Sequence, residues 1–159
     1  MAGSVTGNRP AALAIWLGSA VPQPATYLLS KGASACNADS SYALYTAGPL
    51  NFYVSDGVPG HFSPSPPATD VFDGNWHHLA GTYDGATVRL YVDGVEQASG
   101  NPAALSAIDY ALADNRTFRI GGYVSACNSF HFNGDLDEVQ LFSQALSADA
   151  IQAIYAAVP

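Results

Sequence analysis

Positive charge is scarce in this chain. Of 159 residues only five are Lys or Arg, against 13 Asp or Glu, giving a formal net charge of −8. Binding a phosphate backbone needs clustered Lys and Arg that release counterions, so nucleic acid is excluded as a partner, and an anionic membrane surface is disfavoured for the same reason. Long apolar runs are also missing. None approaches the roughly 20 residues needed to span a bilayer, and the expected protein is soluble. Ala11 to Leu17 follows Arg9 and matches the length of a minimal signal-peptide core, about seven residues. It ends at Trp16-Leu17 and reads better as a core strand, so a chain beginning here would need another route of export: a removed leader, excision from a larger protein, or release inside a virus particle.

Cysteine is limited to two residues, in the identical tetrapeptides Ser34-Ala35-Cys36-Asn37 and Ser125-Ala126-Cys127-Asn128. An even count in a chain of low charge fits one disulfide in an oxidising setting; two unrelated thiols in a reducing compartment is the alternative. The sequences around the tetrapeptides differ, so they mark no whole-domain repeat.

What is present is strand-forming. The hydrophobic fraction is 48% with 11% charged residues, which suffices for one core in a chain of this length. Tyr, Phe, Val, Thr and Gly favour strands and turns, and the class is all-β. Asp84-Gly85 and Asp93-Gly94 tolerate positive φ and mark two consecutive hairpins. Between them Val88, Leu90 and Val92 alternate with Thr87, Arg89 and Tyr91, so the first set points inward and the second lies on a wetter face. Further strands are expected at Leu13 to Leu17, Thr26 to Ser30, Tyr42 to Thr46, Leu50 to Val54, Trp76 to Tyr83, Thr117 to Gly121 and Leu136 to Phe142. No helix-length segment alternates with them, so the sheets are antiparallel. Ser55 to Gly74 carries Pro59, Pro64, Pro66 and Pro67 and reads as a long excursion; Gly100 to Asn115 reads as a second loop over a sheet edge. At the end, Ser147 is a good N-cap, Asp149 suits the positive end of the helix dipole, and Ile151, Ile154 and Tyr155 fall at helical spacing. A short helix from Ala148 to Ala157 should close the domain.

Trp76-His77-His78-Leu79-Ala80-Gly81-Thr82-Tyr83-Asp84-Gly85, followed by Leu90-Tyr91-Val92-Asp93-Gly94-Val95, resembles the signature of laminin G-like, concanavalin A-like jelly-roll domains. So do Ile120-Gly121-Gly122, Phe132-Asn133-Gly134 and Leu136-Asp137-Glu138-Val139. Ala14-Ile15-Trp16-Leu17 and Leu28-Leu29-Ser30-Lys31-Gly32 match the early strands, and Ala145-Leu146-Ser147 followed by Ile151 matches the closing segment. The resemblance implies an antiparallel two-sheet jelly-roll sandwich with a short C-terminal helix over residues 13–157, preceded by an arm at 1–12. It places Trp16 and Trp76 in the core. It also implies about one further strand before Leu13, often with a Phe-Asp-Gly turn whose aspartate helps bind calcium. No such motif is present here, so either the sandwich is shortened or a neighbouring chain supplies the missing strand, and the strand Leu136 to Phe142 is expected to lack part of its pairing. The tetrapeptide loops follow strands that the resemblance puts in one sandwich, which implies a Cys36–Cys127 disulfide.

Function is less specific than fold. Glucanases of this architecture use two carboxylates about 5 Å apart; the local candidate is Asp135-Leu136-Asp137-Glu138. With only Glu96 and Glu138 as glutamates, the family's catalytic pattern is absent, and the expectation is no enzyme. Adjacent His77 and His78 in a strand face opposite ways and suit packing and hydrogen bonding rather than one zinc ion; His61 and His131 fall in loops. A calcium ion would draw on Asp137, Asp135 and Asn133. Saccharide recognition needs flat aromatic faces beside polar side chains, and Tyr123, Asn128, Phe130 and His131, with Asn37, Asp39 and Tyr42 from the Cys36 loop, are the expected rim; aromatics packed beneath a bland surface is the alternative. The leading expectation is a lectin-like carbohydrate-binding module in an extracellular or cell-surface setting. The rival is a structural, decoration or adhesion module of a virion or surface assembly that binds protein subunits or further copies through its strand edge.

Overall fold

The computed structural model describes residues 11–19, 25–32, 41–55, 61–62, 64, 70–100, 108 and 117–157. Two five-stranded antiparallel sheets face each other. The first contains β1 (Ala11–Gly18), β6 (Trp76–Tyr83), β7 (Val88–Val92), β8 (Val95–Gly100) and β12 (Asp135–Phe142) in the order β12-β1-β6-β7-β8. The second contains β2 (Thr26–Lys31), β3 (Tyr42–Thr46), β4 (Leu50–Ser55), β5 (His61–Phe62) and β9 (Phe118–Ile120) in the order β5-β4-β3-β2-β9. A separate hairpin pairs β10 (Gly122–Val124) with β11 (Ser129–His131). The helix α1 spans Ala148–Ala157. This is the antiparallel jelly-roll sandwich that the family resemblance implies.

The core lies between the sheets. Leu13, Ile15, Leu17, Leu79, Tyr83, Val88, Leu90 and Val92 from the first sheet meet Leu28, Leu29, Leu44, Leu50, Phe52 and Val54 from the second. Gly81 of β6 admits the Phe52 ring of the facing sheet, which occupies the space a Cβ would need there. Val88, Leu90 and Val92 point inward as their alternation predicts. Tyr91, expected on a wetter face, is buried instead: with Ala14 and Ala80 it packs beneath Ile151 of α1 and the half-buried Leu146. The helix covers the outer face of the first sheet, so polarity alternates less than in a sheet with one solvated face. Ser147 caps this helix by accepting the Ala150 N–H at 3.2 Å.

Both Asp-Gly hairpins form. Asp84 Oδ1 accepts the N–H groups of Ala86 at 2.8 Å and Thr87 at 2.7 Å, and Asp93 and Gly94 take positive φ in the β7–β8 turn. The excursion between β4 and β6 contributes the two-residue strand β5 at the edge of the second sheet, which places His61 in a strand rather than a loop. His131 also lies in a strand, β11. Trp76 departs further from expectation. It is 49% exposed rather than core, because β6 begins with it at the end of the sheet, opposite Gly18, on the face away from the core.

Candidate functional site

The outer face of the second sheet carries a row of aromatic rings, set by strand register. Tyr27 of β2 pairs directly with Tyr45 of β3, and Tyr53 of β4 pairs with Ala43, two residues along from Tyr45. Leu28 is the extra residue where the β2–β3 register shifts. With that shift Leu28 and Leu29 both enter the core, and Tyr27 turns to the opposite face. Tyr27 and Tyr45 stack with ring centroids 5.2 Å apart and planes at 21°. Tyr45 meets Tyr53 edge-on at 5.4 Å and 77°.

The β10–β11 hairpin folds over β2 and extends the row. Tyr123 pairs directly with Phe130 across the hairpin, and both rings lie against Tyr27, Tyr123 stacked at 4.6 Å and Phe130 tilted at 5.9 Å. The buried Ser30 hydroxyl donates to the Gly122 carbonyl at 2.7 Å and fixes the hairpin to β2. At its tip the Ser125 N–H donates to the Asn128 carbonyl at 2.8 Å, and the Ser125 hydroxyl oxygen accepts the Asn128 N–H at 3.1 Å. The five rings thus run from Tyr53 across the sheet to a hairpin wall. Tyr53 and Tyr123 are buried; Tyr27, Tyr45 and Phe130 remain half-buried. Such edges and faces can cover the C–H groups of a flat polyol, while polar groups at the rim meet its hydroxyls.

Of the expected rim residues, Tyr123 and Phe130 come together in this row, and the exposed Asn128 and His131 lie on the same hairpin. Tyr42 does not join them. It sits on the inner face of β3 opposite Val54 and packs against the core cluster, because strand alternation puts it with Leu44 rather than with Tyr45. Asn37 and Asp39 lie outside the described residues, as does Cys36; Cys127 is disulfide-bonded. Tyr27, Tyr45 and Tyr53 were missed by sequence reasoning. Their signal was a Tyr next to an inward-pointing apolar residue in three short strands, Tyr27 by Leu28, Tyr45 by Leu44 and Tyr53 between Phe52 and Val54, but only the pairing of those strands makes it a row.

The acidic stretch of β12 has a different geometry. Asp135 and Asp137 are exposed on one face, and Asp137 Oδ1 accepts the N–H of Glu138 at 2.8 Å. Glu138 has a φ of 48° where the pairing with β1 shifts register. The Asn133 carbonyl accepts the Ser19 hydroxyl at 3.4 Å. Calcium requires six to eight oxygen ligands, and among the described residues no three His, Cys, Asp or Glu side chains gather to hold a metal ion.

The two histidines face opposite ways. His77 lies between two carboxylates, Nδ1 2.8 Å from Asp93 and Nε2 3.1 Å from Asp73. Burial lowers its pKa, but the hydrogen bonds and charges of Asp93 and Asp73 outweigh this and raise it above the ordinary value. His78 is buried beside Trp16 and Tyr155, and desolvation lowers its pKa despite the charge of Asp93. His77 thus hydrogen-bonds through both ring nitrogens, whereas His78 serves packing, since neither of its buried ring nitrogens has a hydrogen-bond partner among the described residues.

Comparisons with known proteins agree with this architecture. The carbohydrate-binding domain CBM40 of an IT-sialidase from Ruminococcus gnavus superposes with a TM-score of 0.77 at 17% identity, covering 93% of this chain and 83% of that one. Domain 4 of AbnA, a GH43 extracellular arabinanase from Geobacillus stearothermophilus, solved with arabinotriose, gives 0.70 at 21% identity, covering 96% and 68%. The binding domain of botulinum neurotoxin serotype D gives 0.64 at 13% identity over 95% of this chain, which spans only 38% of that domain. These likenesses are likenesses of fold. A search of curated proteins by sequence found no match. Residues 2–152 match a family as a continuous stretch, and the chain belongs to the concanavalin A-like lectin/glucanases superfamily.

Proposed function

We propose that this domain is a non-catalytic carbohydrate-recognition module that binds saccharide along the aromatic row of the second sheet. The observation that carries the reading is the continuous contact from Tyr53 through Tyr45 and Tyr27 to Tyr123 and Phe130, closed at one end by a hairpin. Structures of the same fold are described as bound to α2,3-sialyllactose, arabinotriose and N-acetylneuraminic acid, which supports a saccharide as the class of ligand. One of these relatives is an extracellular enzyme's domain, in keeping with an extracellular or surface setting. No helix among the described residues is long and apolar enough to cross a membrane.

A glycan array probed with and without calcium tests the reading. Saturable binding by the wild-type domain, weakened in Tyr45→Ala and Phe130→Ala variants that still melt cooperatively, supports it. Equal binding by wild type and both variants removes the row as the site.

A second reading rests on the edge position of β12. Among the described strands, β12 pairs with β1 and stands at the end of the first sheet, so its outer backbone groups can accept a strand from another chain. This is the assembly alternative, in which protein subunits or further copies of the domain are the partners.

A further inference from the structure

The outer face of the first sheet carries a second aromatic surface, at the opposite side of the sandwich from the tyrosine row. Trp76 is 49% exposed, and its ring lies over Gly18. A Cβ built on Gly18 would meet Cε2, Cδ2 and Cε3 of the indole at 3.0, 3.1 and 3.2 Å. Near-equal distances to three atoms of one ring mean that Gly18 faces the flat of the indole rather than its edge. One indole face is therefore seated on the strand, and a side chain at position 18 would lift it.

Gly18 pairs with Trp76 on one side and with Asp135 on the other, and the neighbouring outward row runs Asp137, Trp16, His78. Directly opposed residues in antiparallel strands share a face. Asp135 and Asp137 thus stand on the same face as the indole, both exposed. Among the described residues no side-chain hydrogen bond or ion pair engages Asp135. A flat apolar ring beside carboxylate acceptors suits a sugar, whose C–H face covers the ring while its hydroxyls donate to the carboxylates. The same carboxylates, in a chain of net charge −8, repel an anionic sugar.

We infer that Trp76, seated on Gly18 and flanked by Asp135 and Asp137, is a second saccharide-binding surface selective for neutral sugar units, independent of the tyrosine row. It extends the carbohydrate reading of the domain to a second face. Two surfaces on opposite sheets allow one domain to bridge two polysaccharide chains.

The two tryptophans make the test direct. In a nitrogen-15 NMR titration with cellohexaose, xylohexaose, mannohexaose and arabinohexaose, the Trp76 indole N–H signal shifts saturably with at least one of them. The Trp16 indole N–H is buried and serves as an internal control that stays in place. Trp76→Ala weakens this binding about tenfold or more, and Asp135→Ala weakens it at an exposed position where folding is not at stake. The shift persists in Tyr45→Ala, and 3′-sialyllactose does not produce it. If saccharides move only amides around Tyr27, Tyr45 and Phe130, the second surface is overturned and the first stands. A Trp76 response to sialyllactose alone overturns the selectivity, and silence of both regions toward every sugar overturns both readings.

Discussion

Asp93 holds His77 and the strand that carries it with one carboxylate: Oδ2 lies 2.8 Å from His77 Nδ1, and Oδ1 accepts the backbone N–H of His78 at 2.9 Å. The β7–β8 turn is thereby tied to the start of β6, and Asp73 on the other side of the ring ties in the loop that precedes it.

Stability should depend on pH through these groups, with opposite signs. The raised pKa of His77 means that its contribution is fully present below its unfolded value of 6.5 and is lost as pH rises through the folded value. His78 is shifted the other way, so its contribution is present above 6.5 and is lost as pH falls through its lowered value. Asp73, held at about 2 by the backbone and side-chain hydrogen bonds of Asn75 and by His77, contributes above 3.8 and loses that contribution as pH falls toward 2. In melting curves from mildly acidic to alkaline buffer, the deficit of His77→Gln relative to wild type should be largest on the acidic side of neutrality and should shrink as pH rises. A deficit independent of pH would show that the ring is held by packing alone.

Packing should rank three substitutions. Gly81→Ala collides with the Phe52 ring of the facing sheet and is expected to cost about 1–3 kcal/mol as overpacking. Leu79→Ala empties a fully buried position in the core, at about 2–5 kcal/mol. Trp76→Ala, at a half-exposed ring on the surface, should cost less than either. Urea unfolding of the three variants checks the order.

The disulfide is testable without a structure. Cys127 is disulfide-bonded, and Cys36 is the only other cysteine of the chain, so the expected bridge joins them and could stabilise the fold by roughly 4–5 kcal/mol on the chain-entropy model. Thiol titration of freshly purified, denatured, unreduced protein should find no free thiol. Two reactive thiols per chain would overturn the pairing.

The β12 edge bears on assembly. If another chain pairs with it, amides of Leu136 to Phe142 should lose hydrogen-exchange protection on dilution, because each unpaired backbone group then meets water. Protection that stays high in a monomer verified by mass would remove the physical motive for strand pairing between copies.

The sequence by itself determined the local elements. Period-two alternation and the Asp-Gly turns set the β6–β7–β8 hairpins, and a capped helical period set α1, because each signal depends on residues a few positions apart. The family signature was legible for the same reason. Which face of an element meets what was decided only by tertiary structure. Tyr91 alternates like a surface residue but is buried, since α1 returns from far along the chain to cover it. Trp76 has the chemistry of a core residue but lies exposed, because pairing sets it over Gly18 at the end of the sheet. The aromatic row depends on an extra residue in β2 and on a hairpin nearly a hundred positions later folding back onto Tyr27. A one-residue change of register moves a side chain from one face of a sheet to the other, and that register belongs to the partner strands as much as to the strand itself.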